Sequence, residues 1–281
     1  MIMSAQICCP TAKLEKLLVT TDGSEYSEGA VREAIGLSKT CKSSLCVVAV
    51  IEANTEFEAL APDLVEKAEV ETKALLESVK AKAAAEGVDC ETVAHTGEDP
   101  YKFIVEEAAK KQSEMIIMGR RGRTGIKRLM MGSTTAKVIG HAPCKVMVVP
   151  KAAKVGYTNI LIATDGSKYS EAATADAISI AKKCGSKVAV ISVAGSDKVM
   201  ELAKKNVEKV KEFGGKEGIT VETMTAVGNP YESIVEAASK MKADLIVVGS
   251  HGKGGLERMM MGSVTERVVG HADCAVLVVR A

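Results

Sequence analysis

The chain carries the same series of segments twice, and this repetition limits its fold more than any other feature. The stretch LLVTTDGSEYSE at 17–28 returns as ILIATDGSKYSE at 160–171. The glycine-rich stretch at 119–149 returns at 249–279 with 17 identical residues in 31 positions. Self-similarity of this kind predicts two copies of one domain. A chain of 281 residues is long enough to give each copy its own core.

Strand-like and helix-like stretches alternate within each copy. In the first copy, KLLVT and LCVVAVI are typical of strands, and the apolar spacing at 30–35 is helical. Asp99-Pro100 and Asn229-Pro230 are typical of an N-cap followed by proline at the first helical position. Apolar strands that alternate with helices predict a parallel sheet covered on both faces. The predicted parts are a tail at 1–13, a domain at 14–150, a linker at 151–158 and a second domain at 159–281.

The first copy contains an insertion. The repeat offset falls from 143 residues at the first strand to 130 at the third helix, so the second copy is 13 residues shorter between them. Most of the difference lies at 53–67, ANTEFEALAPDLVEK, where the second copy has AGSDK at 194–198. The segment either covers the first site or is an inert surface element, and the sequence gives no basis for choosing.

Composition excludes several classes of function. The formal net charge is +1, so a charge-driven function must be local. Eight cysteines without a C-x-x-C pair suit reduced thiols better than a disulfide framework. No signal peptide and no run of ~18 apolar residues is recognisable, so we expect a cytoplasmic protein without a membrane partner. With no Trp and 3% aromatic residues, a nucleic-acid partner is not expected either.

Two polar features fall at the carboxyl ends of predicted strands, where open parallel sheets bind ligands. One is the Asp22 turn, whose carboxylate suits ribose hydroxyls or a bridging cation. The other is the glycine loop, whose main-chain N–H groups can approach an anion closely before a helix begins at Gly132-Ser133. A purely structural alternative stays open, because Gly-Ser and Asp-Gly-Ser also make ordinary caps and turns.

Both loops fit the pattern G-x2-G-x9-G-[ST]. Together with TTDGS, ATDGS and the ending GHAPCKVMVV, they resemble the universal stress protein family over nearly the whole chain beyond the first dozen residues. The resemblance implies two tandem Rossmann-like α/β domains of the adenine nucleotide alpha hydrolase-like kind. Each would have a five-stranded parallel sheet of order 3-2-1-4-5 with helices on both faces. For members with the intact glycine motif, the resemblance also implies ATP binding.

The resemblance further implies a role for each matching residue. The expected contacts to ribose and adenine are Thr21, Asp22 and Val50 in the first domain, and Thr164, Asp165 and Val193 in the second, with both valines acting through their backbone. The expected phosphate contacts are Gly119, Gly122, Gly132, Ser133 and Thr134 in the first domain, and Gly249, Gly252, Gly262, Ser263 and Val264 in the second. Val264 stands where the first domain has a threonine, so the second site has one hydroxyl donor fewer.

The two loops differ in charge. The charges of residues 120–131 sum to +5, contributed by Arg120, Arg121, Arg123, Lys127 and Arg128. Residues 250–261 sum to +1, from Lys253, Glu257 and Arg258. We therefore predict that the first site binds triphosphate more tightly and with the steeper salt dependence. The alternative is that these charges form a solvated face without measurable effect.

A histidine and a cysteine stand three residues apart in both copies, as His141 and Cys144 and as His271 and Cys274. Two ligands in each copy are too few for a zinc site, so no metal site is predicted. We interpret each histidine as a helix-terminal residue and each cysteine as a buried strand residue.

No general base or nucleophile with an orienting partner is recognisable near the loops, so no catalytic residue is predicted. The predicted function is a stress-response regulator that binds ATP, ADP or AMP with Mg²⁺ and reports nucleotide state to an unknown protein partner. A weak ATPase or autophosphorylating enzyme and a nucleotide-independent scaffold are the alternatives. The resemblance also implies an intramolecular pseudo-dimer through the final strands, and a homodimer of chains stays open.

Overall fold

The computed structural model describes residues 9–10, 14–122, 131–254 and 261–281. Contacts divide the chain into two compact units, built mainly of residues 14–151 and 152–281.

The first unit alternates strands with helices. Its strands are β1 (Lys16–Thr20), β2 (Ser44–Glu52), β3 (Cys90–Gly97), β4 (Met115–Gly119) and β5 (Lys145–Val149). Its helices are α1 (Glu28–Cys41), α2 (Thr55–Leu60), α3 (Pro62–Ala85), α4 (Pro100–Lys111) and α5 (Ser133–His141). The strands pair in parallel in the order β3-β2-β1-β4-β5.

The second unit repeats this arrangement. Its strands are β6 (Asn159–Ala163), β7 (Lys187–Ala194), β8 (Val221–Val227), β9 (Leu245–Gly249) and β10 (Ala275–Val279). Its helices are α6 (Lys168–Cys184), α7 (Met200–Lys216), α8 (Pro230–Lys240) and α9 (Ser263–His271), with a 3-10 turn at Asp197–Val199. The strand order is β8-β7-β6-β9-β10, again parallel. Counted within each unit, both orders are 3-2-1-4-5, so the predicted fold class is confirmed.

The apolar runs form the middle of each sheet because helices cover both faces there. Leu18 of β1, Ile117 of β4, Leu161 of β6 and Val247 of β9 are fully buried. The outer strands β3 and β8 are half-buried or exposed along most of their length. Each core therefore lies around the two neighbouring strands from which the Asp turn and the glycine loop leave.

The helices are amphipathic. In α1, the buried side includes Ala30, Val31, Ala34 and Ile35, at the spacing that predicts one helical face. No helix in the described ranges is long and apolar enough to cross a membrane.

The expectation of reduced thiols is wrong for three cysteines. Cys41 at the end of α1 and Cys184 at the equivalent end of α6 are disulfide-bonded, as is Cys9. The free cysteines of the described ranges are Cys46, Cys90, Cys144 and Cys274. Composition alone did not distinguish the helix-terminal cysteines from those in strands.

The insertion forms α2 and the first turns of α3. The Asn54 side chain caps α2 by accepting a hydrogen bond from Phe57 N at 2.7 Å, and Pro62 starts α3. No residue of α2 is buried. The buried residues of α3 lie further along, at Thr72, Leu76, Val79 and Ala83. The insertion therefore adds helical surface but contributes little to the core.

This difference predicts unequal costs for two leucine truncations. Leu60→Ala should change the free energy of unfolding by less than about 0.5 kcal/mol, because the side chain is 77% exposed. Leu76→Ala should cost about 2–5 kcal/mol, because the side chain is 4% exposed. Urea denaturation of the full chain measures both values. Equal costs would contradict the surface position of α2.

Candidate functional site

The turn after β1 is held together by its own side chains. The buried Thr21 places its Oγ1 2.9 Å from Ser27 Oγ and accepts a hydrogen bond from Gly23 N at 3.2 Å. Ser24 donates to Asp22 Oδ1 from its N at 3.0 Å and its Oγ at 2.7 Å. Gly23 takes a φ of +75°, which favours glycine. The Asp22 carboxylate is thereby oriented at the carboxyl end of β1.

The second unit builds the same turn. Thr164 Oγ1 donates to Ser170 Oγ at 3.1 Å and accepts from Gly166 N at 3.2 Å. Ser167 N donates to Asp165 Oδ1 at 3.0 Å. In both copies, the hydroxyl contact joins a threonine to the serine six residues later. Sequence analysis missed this contact, although the repeated spacing T-D-G-S-x-Y-S is its signal.

Each glycine loop lies directly against the aspartate. A Cβ at Gly122 would be 2.8 Å from Asp22 Oδ2, and one at Gly252 would be 2.6 Å from Asp165 Oδ2. Lys253 N also donates to Asp165 Oδ2 at 2.7 Å. The aspartate therefore joins the loop after the first strand to the loop after the fourth. Sequence analysis predicted only a ligand contact for this residue.

The other loop glycines differ in the space around them. A Cβ at Gly119 would be 2.5 Å from Tyr26 O, and one at Gly249 would lie 2.7 Å from backbone. A Cβ at Gly132 would be 3.5 Å from its nearest neighbour, and one at Gly262 would be 3.4 Å away, which are ordinary contacts. Packing leaves no room for a side chain at the first pair, whereas a Cβ at either residue of the second pair would make only ordinary contacts.

Two helices begin at the loops without a side-chain cap. Gly132 and Gly262 are the N-cap residues of α5 and α9, both in an extended conformation. A glycine N-cap has no side-chain oxygen to accept from the first turn, which starts at Ser133 and Ser263. Uncapped N–H groups at the positive end of a helix dipole form a binding site for anions.

A buried threonine fixes the start of each of these helices. Thr135 Oγ1 donates to Gly119 O at 3.1 Å, and Thr265 Oγ1 donates to Gly249 O at 2.8 Å. Each hydroxyl links the first helical turn to the last residue of the preceding strand. The helix start is thereby held beside the carboxyl end of the sheet.

The second strand of each sheet extends beyond the first. Thr21 N donates to Val48 O at 3.0 Å, just beyond the end of β1. Residues two apart in a strand point their backbone groups to the same side, so Val50 directs its N–H and C=O past the end of β1. In the second unit, the corresponding hydrogen bond runs from Thr164 N to Ile191 O, so Val193 is equivalent to Val50. This pattern favours the expected backbone contacts.

An open cavity of about 460 Å³ lies in the second unit. Apolar walls come from Ile191, Pro230 and Ile234, whereas His251 and Lys253 line it near the loop. All the residues predicted for the second site line this cavity, namely Thr164, Asp165, Val193, Gly249, Gly252, Gly262, Ser263 and Val264.

His251 is a cavity residue that sequence analysis missed. Its side chain is nearly buried, with Nδ1 3.1 Å from Ser250 Oγ and its ring centroid 5.1 Å from that of Tyr169. In the first unit, the same position of the loop is Arg121. The repeat alignment contained this difference, but it did not indicate which loop residues face the cavity.

The two sites also differ at the start of the helix. Thr134 in α5 corresponds to Val264 in α9, which is 38% exposed. The structure describes Arg120, Arg121 and Lys253 of the charged loop residues. The remaining loop charges of the prediction, Arg123, Lys127, Arg128, Glu257 and Arg258, lie outside the described residues.

Asp165 is stabilised in its ionised form. Partial burial alone would raise its pKa, but hydrogen bonds from Ser167 and from the Lys253 N–H outweigh burial, so the pKa lies below its ordinary value. The second site therefore presents a carboxylate at neutral pH.

Asp165→Asn should consequently destabilise the protein more at neutral pH than in acid. The folded-state pKa lies below the ordinary value of 3.8, so the stabilisation is complete above that value and is lost as the pH falls through the folded-state pKa. We expect a loss of about 1–2 kcal/mol at pH 7 and a smaller loss near pH ~3. Urea denaturation at both pH values tests this, with the exposed Asp197→Asn as control. A loss that does not depend on pH would contradict the assignment.

The contacts and burial of the two His-Cys pairs indicate structural roles. His141 Nδ1 donates to Lys137 O at 2.8 Å, and His271 Nδ1 donates to Arg267 O at 2.8 Å. Burial raises the pKa of Cys144 to about 11 and that of Cys274 to about 12. The histidines end α5 and α9 as predicted, but the prediction of buried strand cysteines is wrong, because Cys144 and Cys274 are only partly buried and directly precede β5 and β10. In the described part of the chain, no three potential ligands are grouped to hold a metal.

Known proteins resemble the chain in both sequence and fold. Residues 13–150 and 156–280 match the model of the Universal stress protein family. Universal stress protein MJ0531 of Methanocaldococcus jannaschii is 40% identical over 140 residues, which cover 44% of this chain and 82% of that protein. A universal stress protein structure from Archaeoglobus fulgidus has a TM-score of 0.76 at 24% identity and covers 95% of this chain and 99% of that one. A universal stress protein solved in complex with cAMP covers 43% of this chain and 96% of that one, at 26% identity and a TM-score of 0.37.

Proposed function

Because the chain belongs to the universal stress protein family, we propose that each half binds an adenine nucleotide and that the protein reports its nucleotide state to another protein. The main support is the cavity of the second unit, which all the predicted residues of that site line. Its volume of about 460 Å³ lies within the range of small-molecule sites, about 300–1,000 Å³. The proposed setting is the cytoplasm, and dimerisation stays a prediction.

The proposed pose follows from the chemistry of each wall. Adenine presents an amino donor beside a ring-nitrogen acceptor, which complement the backbone C=O and N–H of Val193. The apolar walls beside Val193 would cover the faces of the ring. The Asp165 carboxylate accepts hydrogen bonds, as a contact to ribose hydroxyls requires. Phosphates would lie at the uncapped start of α9, and the first unit would use Val50, Asp22 and α5 in the same way.

Mg²⁺ would accompany the nucleotide without a dedicated protein site. Within the described ranges, no group of three or more carboxylates, histidines and cysteines could hold a metal. Mg²⁺ commonly keeps several waters and binds substrate phosphates in nucleotide sites. We therefore propose ATP, ADP or AMP as the ligand, with Mg²⁺ carried by the phosphates where they are present.

Binding is favoured over catalysis by the position of the aspartate. Asp165 is engaged by Ser167 and by Lys253 N, and it holds the two loops together. Its lowered pKa suits a hydrogen-bond acceptor better than a general base that operates near neutral pH. A regulator that binds nucleotide accounts for this arrangement without a catalytic step.

Isothermal titration with Mg-ATP tests the proposal on wild type, Gly132→Val and Gly262→Val. Nearest neighbours at 3.5 Å and 3.4 Å mean that a Cβ at either position fits the protein itself. The larger side chain would instead block phosphate at the helix start. We expect about two sites in wild type and about one in each variant.

Circular dichroism of both variants controls for folding, and each variant controls for the other. Absence of binding to wild type would contradict the proposal and favour the scaffold. Full binding by both variants would show that the helix starts do not hold the phosphates.

The same variants test the difference in loop charge. In Gly262→Val, the remaining first site should bind ATP more tightly, and its affinity should fall more steeply with salt, because residues 120–131 sum to +5. In Gly132→Val, the affinity of the remaining second site should fall less steeply with salt, because the charges of residues 250–261 sum to only +1. Titrations at low and high salt measure both slopes. Equal affinities at low salt and equal slopes would indicate that the loop charges form only a solvated face.

A further inference from the structure

The insertion exposes a row of large apolar side chains. Phe57 and Leu60 of α2 are 43% and 77% exposed, and Leu64 at the start of α3 is 58% exposed. Leu64 is followed by the half-buried Ala68 and Leu75 at intervals of four and seven residues, which places the three on one side of α3. We call these five residues the α2–α3 stripe.

The fold does not require this stripe. In the second unit, only Gly195 and Ser196 separate β7 from a 3-10 turn that leads into α7. The same strand order forms there without a counterpart of α2. No residue of α2 is buried, so its apolar side chains stabilise no core. Several exposed large apolar side chains within a short segment that the fold does not need are typical of an interaction site.

Acidic side chains surround the stripe. Residues 55–73 contain six carboxylates and two lysines, a net charge of −4, although the whole chain sums to +1. The carboxylates are all exposed and are Glu56, Glu58, Asp63, Glu66, Glu69 and Glu71. The corresponding stretch of the second copy, 195–204, has two acids and two lysines, a net charge of 0. The acidic character is therefore confined to the copy that carries the apolar row.

We propose that the α2–α3 stripe is the docking surface for a basic amphipathic helix of a partner protein. An apolar row on a helix packs against a matching row on a second helix. The surrounding carboxylates would pair with Lys and Arg on the flanks of that helix and would repel an acidic one. In a symmetric dimer through this surface, two segments that each have a net charge of −4 would face and repel each other, which disfavours such a dimer. The inference goes beyond nucleotide binding and does not depend on it.

The experiment uses the full chain and a synthetic helical peptide of ~18 residues, about five turns. The peptide carries Leu at helical spacing on one face and Lys and Arg elsewhere. Fluorescence anisotropy should show saturable binding that weakens with salt. A scrambled peptide of the same composition and a peptide with Glu in place of the basic residues should bind at least about tenfold more weakly, ~1.4 kcal/mol.

Protein variants locate the surface. Leu60→Ser combined with Leu64→Ser should weaken binding of the basic peptide about tenfold or more, ~1.4 kcal/mol. Leu202→Ser is the matched control, because Leu202 is 47% exposed on α7 of the second copy, and it should leave binding unchanged. Circular dichroism and Mg-ATP titration of the same variants establish that the fold and the proposed nucleotide sites are intact.

Three results would overturn the proposal. These results are failure of the basic peptide to bind, equally strong binding of the scrambled peptide, and binding by the double variant like that of wild type. Sedimentation supplies a further test of the occupant. Self-association that the double variant abolishes would identify a second copy of the chain in place of a basic partner.

Discussion

The contact between an aspartate after the first strand and a glycine after the fourth is the constraint on which each site depends. Asp22 meets Gly122 and Asp165 meets Gly252 so closely that a side chain at either glycine would displace the aspartate. The two loops leave neighbouring strands at the point where the strand order reverses. Their contact brings together the two walls of the crevice, so the helix start and the carboxylate face the same space.

This contact changes how substitutions at the site should be interpreted. Replacing Asp165 removes an expected ligand contact and also releases the hydrogen bonds from Ser167 and Lys253 that hold the loop. Loss of binding in such a variant would not separate the two roles. Gly262 differs, because a Cβ there would make only ordinary contacts with the protein and the residue lines the cavity. Substitution there tests the ligand more directly than substitution of the aspartate.

Sequence analysis predicted the elements well because the determinants of those elements are local and occur twice. The apolar strands, the proline at the start of α4 and the helix start at Ser133 all follow from short-range patterns. The missed features depend on which side chains meet after folding. The Thr135 hydroxyl on Gly119 O and the placement of His251 in the cavity are of this kind. Disulfide bonding at Cys41 was missed for the same reason.

Comparison of the two copies separates what the fold requires from what one copy has acquired. The aspartate and the tightly packed glycines recur at equivalent places and make equivalent contacts in both units. His251, Val264 and the α2–α3 stripe each occur in one copy, so none of them is needed to build the common fold. Two of these differences line the cavity of the second site, and the third lies on the surface of the first unit. Functional differences between the copies are therefore expected at the phosphate end of the sites and on the inserted helices.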